Sequence, residues 1–315
     1  QIPKEFWREV VDRIKEELPE TLLLAEAFWL MEGYFVRTLG MHRVYNSAFM
    51  NMLKMEENSK YRQTIKNVLE FSPEVLKRFV NFMNNPDERT AIEQFGKGDK
   101  YFGVTLLLST LPGLPMYGHG QIEGYAEKYG MEFRRPKLSE TPDQGLIDHH
   151  ARMVFPILHK RYLFAEVEHF FRYDFFTPEG AVDENVFAYS NQFGDERALV
   201  LYHNRPGVTR GYVRISAAYL LKGEGMRATT LGDAFALHND DRCFLRYRDH
   251  VGGEEFIRSC REIHERGLYV ELAAYQSHVF LDVREVYDTD GSLARLCRDL
   301  GGRGVASLDQ ALQEY

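Results

Sequence analysis

Patterns typical of amphipathic helices alternate with short apolar runs over residues 1–165, and this alternation constrains the fold more than any other feature. The chain opens with a helical pattern whose apolar residues recur at every fourth position: Phe6, Val10, Ile14 and Leu18. An apolar run over residues 21–25 follows and ends at Glu26, which is typical of a fully buried strand. Helices that alternate with buried strands predict a parallel sheet with crossover helices.

Three further strands and three further helices are predicted in the same region. The strand candidates are residues 43–49, a segment through Phe82 and Met83 that ends in the turn 84–87, and residues 114–117. The helix candidates are residues 100–111, residues 144–162 and a segment that Ser72 and Pro73 begin, with Val75, Leu76 and Phe79 on its buried face. A closed parallel barrel takes eight strands and about 250 residues, so four strands are too few for a closed barrel.

The character of the sequence changes near Glu168, where short, alternating and aromatic segments begin. Turn signals separate these segments, which cover residues 186–189, 198–202, 211–215, 269–272 and 277–281. They predict an antiparallel β-sandwich. Residues 256–266 are predicted to be helical, and so is the end of the chain, where Ser307 and Gln310 form a capping pattern. We therefore expect three parts: a parallel α/β part over residues 1–165, a β-sandwich over 166–285, and a helical tail over 286–315.

Charge and hydropathy exclude two classes of partner. The net charge is −8 and no tract is rich in lysine or arginine. Because phosphate recognition needs clustered basic residues, we expect no nucleic-acid partner. No apolar run approaches the roughly 20 residues that a membrane-spanning helix needs, so we expect no membrane partner.

The cysteines and histidines give no metal-binding pattern. Cys243, Cys260 and Cys297 are widely spaced, which predicts free thiols in a reducing, cytoplasmic compartment and neither a disulfide framework nor a zinc site. His149 and His150 are adjacent, which predicts two surface histidines that point in different directions. The sequence begins without methionine directly before a helical pattern, so it has the character of a truncated chain and leaves export open.

Two carboxylates follow predicted buried strands, Glu26 after the first and Asp87 after the third. The carboxyl ends of the strands carry the active site of a parallel barrel. Glycoside cleavage needs one carboxylic acid that protonates the leaving oxygen and a carboxylate on the other side of the sugar. Phe28 and Trp29 close behind Glu26 would bury it and keep it protonated as the acid, and Trp29 would stack on a sugar. Taken singly, however, such carboxylates are more often a helix-capping or ion-paired Glu and a turn Asp.

The sequence resembles glycoside hydrolase family 13, the α-amylase family, over roughly residues 3–285. Three segments carry the resemblance to the motifs of the fifth, seventh and eighth barrel strands: Leu24-Ala25-Glu26-Ala27-Phe28, Phe82-Met83-Asn84-Asn85-Pro86-Asp87 and Gly113-Leu114-Pro115-Met116-Tyr117-Gly118. The last is followed by Gln121 and Glu123. The resemblance implies that residues 1–165 are the second half of a (β/α)8 TIM barrel, strands five to eight, with Glu26 as the general acid/base. It implies that Asp87 holds substrate hydroxyls and stabilises the transition state.

The resemblance also implies a substrate class and a set of substrate contacts. The substrate would be an α-glucan or maltooligosaccharide, hydrolysed by a retaining double displacement. The residues implied to contact it are Phe28, Trp29, Asn85, Tyr117, Lys128 and Tyr129. No cofactor and no metal is expected, since a calcium site would lie in the missing N-terminal half of the barrel, which we expect as the partner of this chain.

The sequence departs from the family in two places. Pro86 replaces the histidine of the seventh-strand motif, which removes a donor to a substrate hydroxyl. A maltosyltransferase-like branch of the family also has proline here, and its Glu-Lys-Tyr resembles residues 127–129. The nucleophile of the family is an aspartate on the fourth strand, and the only aspartate before Glu26 is Asp12, inside the opening helix. We therefore expect this chain alone to be inactive, and a maltosyl- or glucanotransferase and a non-catalytic carbohydrate-binding scaffold stay as alternatives to a hydrolase.

Overall fold

A four-stranded parallel sheet organises the first half of the molecule. The structure is a computed structural model, which describes residues 5–27, 31–128 and 134–314. The strands lie side by side in chain order: β1 (Leu24–Ala25), β2 (Arg43–Asn46), β3 (Phe79–Phe82) and β4 (Leu114–Met116). All three pairings are parallel, so the four strands end at the same edge of the sheet. This confirms the parallel sheet that the helix–strand alternation predicts.

Nine α-helices connect and cover these strands in the described part of this half. They are α1 (Phe6–Glu17), α2 (Ser47–Lys54), α3 (Asn58–Phe71), α4 (Pro73–Leu76), α5 (Ala91–Phe95), α6 (Asp99–Thr110), α7 (Gln144–Met153), α8 (Phe155–His159) and α9 (Arg161–Phe164), and Tyr34–Thr38 forms a π-helical turn. Helix α6 is buried over its whole length from Tyr101 onward. Its hydroxyl groups at Thr105, Ser109 and Thr110 each donate to the carbonyl four residues earlier, which satisfies them in the core. None of the helices in the described ranges has the length and apolar character needed to cross a bilayer.

The two faces of the parallel sheet differ in burial. Strand alternation and register place Ala25, Val44 and Phe79 on one face, and all three are buried in the core. The opposite face carries Val80 and Phe82, which are buried, and a second set of side chains that stay accessible: Leu24, Arg43, Tyr45, Leu114 and Met116. We call this set the open face. Leu24 and Leu114 are 41% and 40% exposed, so the described residues leave the apolar flanks of this face uncovered.

The second half of the molecule is built on one antiparallel sheet of eight strands. The elements of this half are β5 (Phe171–Phe176), β6 (Val186–Phe193), β7 (Glu196–His203), β8 (Thr209–Ser216), β9 (Tyr219–Leu221), β10 (Gly225–Arg227), α10 (Leu231–Ala234), β11 (Cys243–Asp249), β12 (Glu255–Ser259), α11 (Cys260–Arg266), β13 (Leu268–Leu272), β14 (Ser277–Tyr287), α12 (Ser292–Leu300) and α13 (Leu308–Gln313). The order of the strands in the sheet is β12-β11-β14-β7-β6-β5-β8-β13, and β9 and β10 form a separate hairpin. Because all eight strands join in one hydrogen-bonded sheet, the division into two facing sheets that defines a β-sandwich is not confirmed.

The central strands of this sheet are buried on both faces. Along β6, Val186 and Ala188 point into a core within the sheet half, whereas Phe187 and Tyr189 pack against the helices of the first half. The ring of Phe187 lies 5.9 Å from that of Tyr61 on α3. The hydroxyl of Tyr189 lies 2.6 Å from that of Thr110 on α6. The two halves therefore share one continuous core across the boundary at residue 165, while the division into three domains stays a prediction.

Several predicted boundaries are wrong for local physical reasons. Residues 47–49 begin helix α2 and do not extend the second strand. Phe79 lies in β3 and not on the helix that Pro73 begins, because that helix ends at Leu76. The predicted helix 144–162 is three helices, since Pro156 in the first turn of α8 has no backbone N–H to continue α7. The predicted helix 256–266 starts only at Cys260, where Ser259 caps it.

Two predictions about side-chain burial are also wrong. Phe6 and Leu18 of the opening helix are 67% and 60% exposed, and Val11 is the residue that this helix buries. His150 is fully buried instead of lying at the surface. Its ring nitrogens lie 2.8 Å from the Tyr101 hydroxyl and 2.8 Å from the Leu146 carbonyl oxygen. At the other end of the chain the predicted cap is confirmed, because the Ser307 hydroxyl accepts the backbone N–H of Gln310.

Candidate functional site

Glu26 directly follows β1 and is exposed. Exposure alternates along this segment, with Leu24 exposed, Ala25 buried, Glu26 exposed and Ala27 buried, so Glu26 shares the side of Leu24 and of the open face. The expectation that Glu26 is buried is therefore wrong for the described chain, because nothing described covers this face. Phe28 and Trp29, which were expected to enclose it, lie outside the described residues.

The turn after β3 holds Asp87 at the surface. Asn85 is buried, and its Oδ1 accepts the backbone N–H groups of Asp87 at 3.0 Å and of Glu88 at 3.1 Å. This is an Asx-type turn, which sets the direction of the chain before Asp87. The Asp87 carboxylate is exposed and makes no hydrogen bond or ion pair with another described residue. Asn85 thus holds Asp87 in position, and the side-chain oxygen of Asn85 already accepts two hydrogen bonds.

Lys128 joins the loop after β4 to the turn after β3. Its Nζ donates to the backbone carbonyl of Asp87 at 2.6 Å. A recess with a volume of about 30 Å³ lies beside this contact. Its walls are Asn84, Asn85, Pro86, Glu88, Thr90, His119, Glu127 and Lys128. A volume of this size holds about one water molecule, so the recess is too small for a sugar ring.

Tyr117 follows β4 but directs its hydroxyl away from this edge. The hydroxyl lies 2.8 Å from that of Ser109 on the buried helix α6. Burial raises the pKa of Tyr117 to about 12, so the side chain stays protonated at neutral pH. The structure therefore brings Asn85, Asp87 and Lys128 into contact and places the Tyr117 hydroxyl elsewhere. Tyr129 lies outside the described residues.

The parallel arrangement places Glu26 and Asp87 at one edge of the sheet. Strand β2 separates β1 from β3, and neighbouring strands lie about 4.8 Å apart, so the two strands are about 10 Å from each other. Both residues therefore follow strands that lie two places apart at the same edge of the sheet.

Comparison with known proteins identifies the fold. No family model and no curated protein matches the sequence. Solved structures do match: an α-amylase from Geobacillus thermoleovorans complexed with acarbose (15% identity, 90% of this chain, 57% of that chain, TM-score 0.58) and the native debranching enzyme of Nostoc punctiforme (16%, 88%, 55%, 0.60). A maltogenic α-amylase from Thermotoga neapolitana matches similarly (12%, 90%, 60%, 0.56). This chain has the α-amylase fold.

The resemblance that the strand motifs indicate is thereby confirmed at the level of the fold. The chain spans little more than half the length of the three α-amylase-fold structures compared, between 55% and 60%. Alignment with the α-amylase fold covers about nine-tenths of this chain, so it extends over both the parallel sheet and the antiparallel sheet. The eight-stranded sheet is therefore part of the matched architecture and not an unrelated appendage.

Three further residues lie near the strand ends of this α-amylase fold, and sequence reasoning gave none of them a role in the site. Asn84 is buried, and its Oδ1 has no hydrogen-bond partner in the described structure. Gln121 is buried as well and accepts the backbone N–H of Gly118 at 3.1 Å, which ties down the turn after β4. Glu32 lies in the segment after β1, and partial burial raises the pKa of its carboxyl group. A carboxyl group with a raised pKa near a strand end is a candidate acid, which makes Glu32 the natural control for Glu26.

Proposed function

We propose that this chain contributes the general acid/base, Glu26, and a transition-state-stabilising carboxylate, Asp87, to a retaining enzyme that acts on α-glucans. The observation that carries the proposal is the position of both carboxylates after parallel strands at one edge of an α-amylase fold. Both are exposed and make no ion pair with a described residue, so both are accessible to a ligand. The acarbose complex of one matched α-amylase supports an oligosaccharide as the ligand class.

In the proposed mechanism the carboxylic acid of Glu26 protonates the glycosidic oxygen as the bond to the anomeric carbon breaks. A carboxylate on the opposite face of the sugar attacks that carbon and forms a covalent glycosyl-enzyme. Glu26, now a carboxylate, takes a proton from the incoming water, whose oxygen bonds to the anomeric carbon and releases the enzyme carboxylate. Asp87 accepts hydrogen bonds from ring hydroxyls, and these strengthen as the ring flattens toward the oxocarbenium-like transition state.

The nucleophile is proposed to come from further strands that complete the barrel. Parallel sheets are normally buried on both faces and have their edges paired, whereas the open face leaves Leu24 and Leu114 about two-fifths exposed. Among the described strands, β1 pairs only with β2, so one of its edges is free beside Glu26. Four strands added between β1 and β4 would bury this face and surround Glu26. They would belong to the same polypeptide or to a second chain.

Pro86 favours a transferase as the second candidate. The exposed proline has no side-chain donor for a sugar hydroxyl, and the Lys128 ammonium group contacts the backbone of this turn. In a transferase a sugar hydroxyl or phosphate oxygen, in place of water, would attack the glycosyl-enzyme. A carbohydrate-binding scaffold without catalysis is the remaining alternative, because an exposed pair of carboxylates can also bind hydroxyls without breaking a bond.

The test compares Glu26→Gln with Glu32→Gln in a polypeptide that carries residues 1–315 together with the completing strands. General acid–base catalysis typically contributes about 10²–10⁴-fold, so Glu26→Gln should lower kcat on an unactivated maltooligosaccharide by that factor. Glu32→Gln, a matched change in the same segment, should leave kcat within a few-fold. Reducing-end and chain-length analysis of the products distinguishes hydrolysis from transfer.

Three outcomes would contradict the proposal. Near-wild-type kcat for Glu26→Gln, with a large loss for Glu32→Gln, would transfer the role of the acid to Glu32. Robust turnover by residues 1–315 alone would show that the nucleophile lies within this chain. Saturable oligosaccharide binding without turnover in the complete polypeptide would favour the scaffold.

A further inference from the structure

A cluster of metal-ligand side chains lies in the antiparallel half, far along the chain from Glu26 and Asp87. One ligand atom each from His238, Cys243 and Glu285 lies within 4.8 Å of the other two. The His238 Nδ1 is 2.6 Å from one carboxylate oxygen of Glu285, and its backbone N–H donates to the other oxygen at 2.7 Å. Histidine, cysteine and a carboxylate are the three side-chain types that bind zinc.

A fourth candidate ligand adjoins this cluster. The side chain of Cys260 is fully buried. Cys260 is the first residue of α11, directly after the edge strand β12. Strands β11 and β12 are antiparallel with Phe244 opposite Ser259, so Cys260, the residue after Ser259, lies beside Cys243, the residue before Phe244. The cluster therefore offers two sulfurs, one imidazole nitrogen and one carboxylate.

The register of the sheet explains how residues so far apart in the sequence meet. Strands β11 and β14 are antiparallel, with Leu245 opposite Glu285. Cys243 lies two positions from Leu245 on the same face, so Cys243 and Glu285 are diagonal neighbours. His238 precedes β11 and folds back onto Glu285. The sequence alone predicts no zinc site, because the spacing of the cysteines resembles no local zinc motif, and the fold supplies the proximity that the spacing lacks.

The charges of the cluster suit a cation. Burial raises the pKa of Glu285, but the hydrogen bonds from His238 and Cys260 outweigh it and hold that pKa below its ordinary range. Burial raises the pKa of both Cys243 and Cys260, and the negative charge of Glu285 raises each further. A divalent cation at this site would favour the thiolates, since metal ligation deprotonates cysteine.

We propose that His238, Cys243, Cys260 and Glu285 form a structural zinc site. Around a tetrahedral zinc ion with Zn–S of about 2.3 Å and Zn–N or Zn–O of about 2.0 Å, neighbouring ligand atoms lie roughly 3.3–3.8 Å apart. The ligand atoms of His238, Cys243 and Glu285 lie within 4.8 Å of one another, a limit about 1 Å longer, which side-chain rotation can close, and the Cys260 side chain would turn toward them. Two thiolates select zinc over calcium and magnesium, which prefer oxygen ligands. Binding releases the two thiol protons, and four protein ligands leave no open position for catalysis.

The proposed ion would tie four segments together near the β12 edge of the eight-stranded sheet. Its ligands come from the loop before β11, from β11, from the start of α11 and from β14. Two of them, Cys243 and Cys260, are buried in the core of the sheet half, whereas His238 is 77% exposed on its surface. Zinc would thus anchor an exposed loop to the core without contacting the parallel sheet. This inference is independent of the proposed catalytic function.

The test measures metal binding directly by the reduced polypeptide of residues 1–315. After removal of metal with a chelator, ZnCl₂ is titrated in competition with a chromophoric chelator, and CoCl₂ is used as a spectroscopic probe. We expect one equivalent of zinc to bind and the cobalt form to show a thiolate-to-metal charge-transfer band in the near ultraviolet. His238→Ala changes an exposed side chain and should leave the fold intact. It should weaken zinc binding by more than about 10-fold.

Matched controls separate ligation from general effects. His169→Ala removes another exposed histidine, and Cys297→Ser removes the one cysteine outside the cluster, so both should bind zinc as the parent does. Cys260→Ser should remove part of the cobalt charge-transfer band. Failure of the parent to bind zinc, or equal affinity of the parent and His238→Ala, would overturn the proposal. Loss of two free thiols to a disulfide between Cys243 and Cys260 without metal binding would overturn it as well.

Discussion

Replacing Asn204 by alanine tests whether a buried polar junction holds the two halves of this molecule together. Asn204 follows β7, is fully buried, and makes three side-chain hydrogen bonds. Its Nδ2 donates to the Leu53 carbonyl of α2 at 3.0 Å and to Asn58 Oδ1 of α3 at 2.7 Å. Its Oδ1 accepts the Tyr202 hydroxyl at 3.0 Å. Two of the three bonds therefore connect the antiparallel sheet to the helices of the parallel half.

The expected loss in the free energy of unfolding is about 2–3 kcal/mol. A buried hydrogen bond contributes about 0.5–1.5 kcal/mol net, so three bonds correspond to about 3 kcal/mol. Two of the partners have alternatives, which lowers the figure: the Leu53 carbonyl also accepts from Glu56 N, and the Tyr202 hydroxyl also reaches the Lys100 carbonyl. Only Asn58 Oδ1 would be left without a partner among the described residues.

Urea denaturation followed by tryptophan fluorescence and by circular dichroism measures this loss in the polypeptide of residues 1–315. Asn67→Ala is the matched control, because Asn67 is exposed on α3 and should change stability by less than about 0.5 kcal/mol. A loss of less than about 1 kcal/mol for Asn204→Ala would refute the reasoning. It would show that the halves are held by apolar packing and that the junction is dispensable.

Two further substitutions test the packing of α6 and α7. Burial lowers the pKa of His150 below its ordinary value of 6.5, so the unfolded chain gains a proton at higher pH than the folded one. The stability that the neutral His150 ring contributes is fully present above about pH 6.5 and is lost as the pH falls through the pKa of the folded state. In urea titrations, His150→Gln should therefore lose less stability than the parent as the pH falls below about 6.5. An unchanged pH dependence would contradict this expectation. A Cβ atom at Gly103 would lie 2.0 Å from the ring of Tyr202. Gly103→Ala should therefore destabilise the protein by about 1–2 kcal/mol in thermal denaturation, although alanine has the higher helix propensity. A stabilised variant would refute this reasoning.

Elements with a strong local pattern could be predicted from the sequence. Strand β1, most of β2, β4 and helix α6 follow from short apolar runs bounded by polar or turn residues. Helix α3 was overlooked although Tyr61, Ile65 and Leu69 recur at every fourth position and are buried. Its start at Asn58 has no side chain that caps a backbone N–H, so the usual signal for a helix beginning is missing.

The candidate site could be predicted in position but not in environment. Glu26 and Asp87 follow strands that share an edge, and that much follows from the alternation of helices and strands. The exposure of Glu26 depends on what covers the open face, and the use of Asn85 in a turn depends on how the chain continues after β3. The cluster around Glu285 depends on the register of β11 and β14. Each of these is a long-range consequence of packing that no local pattern encodes.

Strands β6, β7 and β14 are buried on both faces, and this burial couples the unfolding of the two halves of the molecule. Side chains of these strands point alternately into the two cores, so each strand contributes packing residues to both. Unfolding of the first half would uncover one face of these strands and expose large aromatic side chains such as Phe187 and Tyr202 to water. Calorimetry should therefore show a single cooperative unfolding transition. The compositional change near Glu168 marks a change of architecture but not a line along which the protein can be cleaved into independently stable pieces.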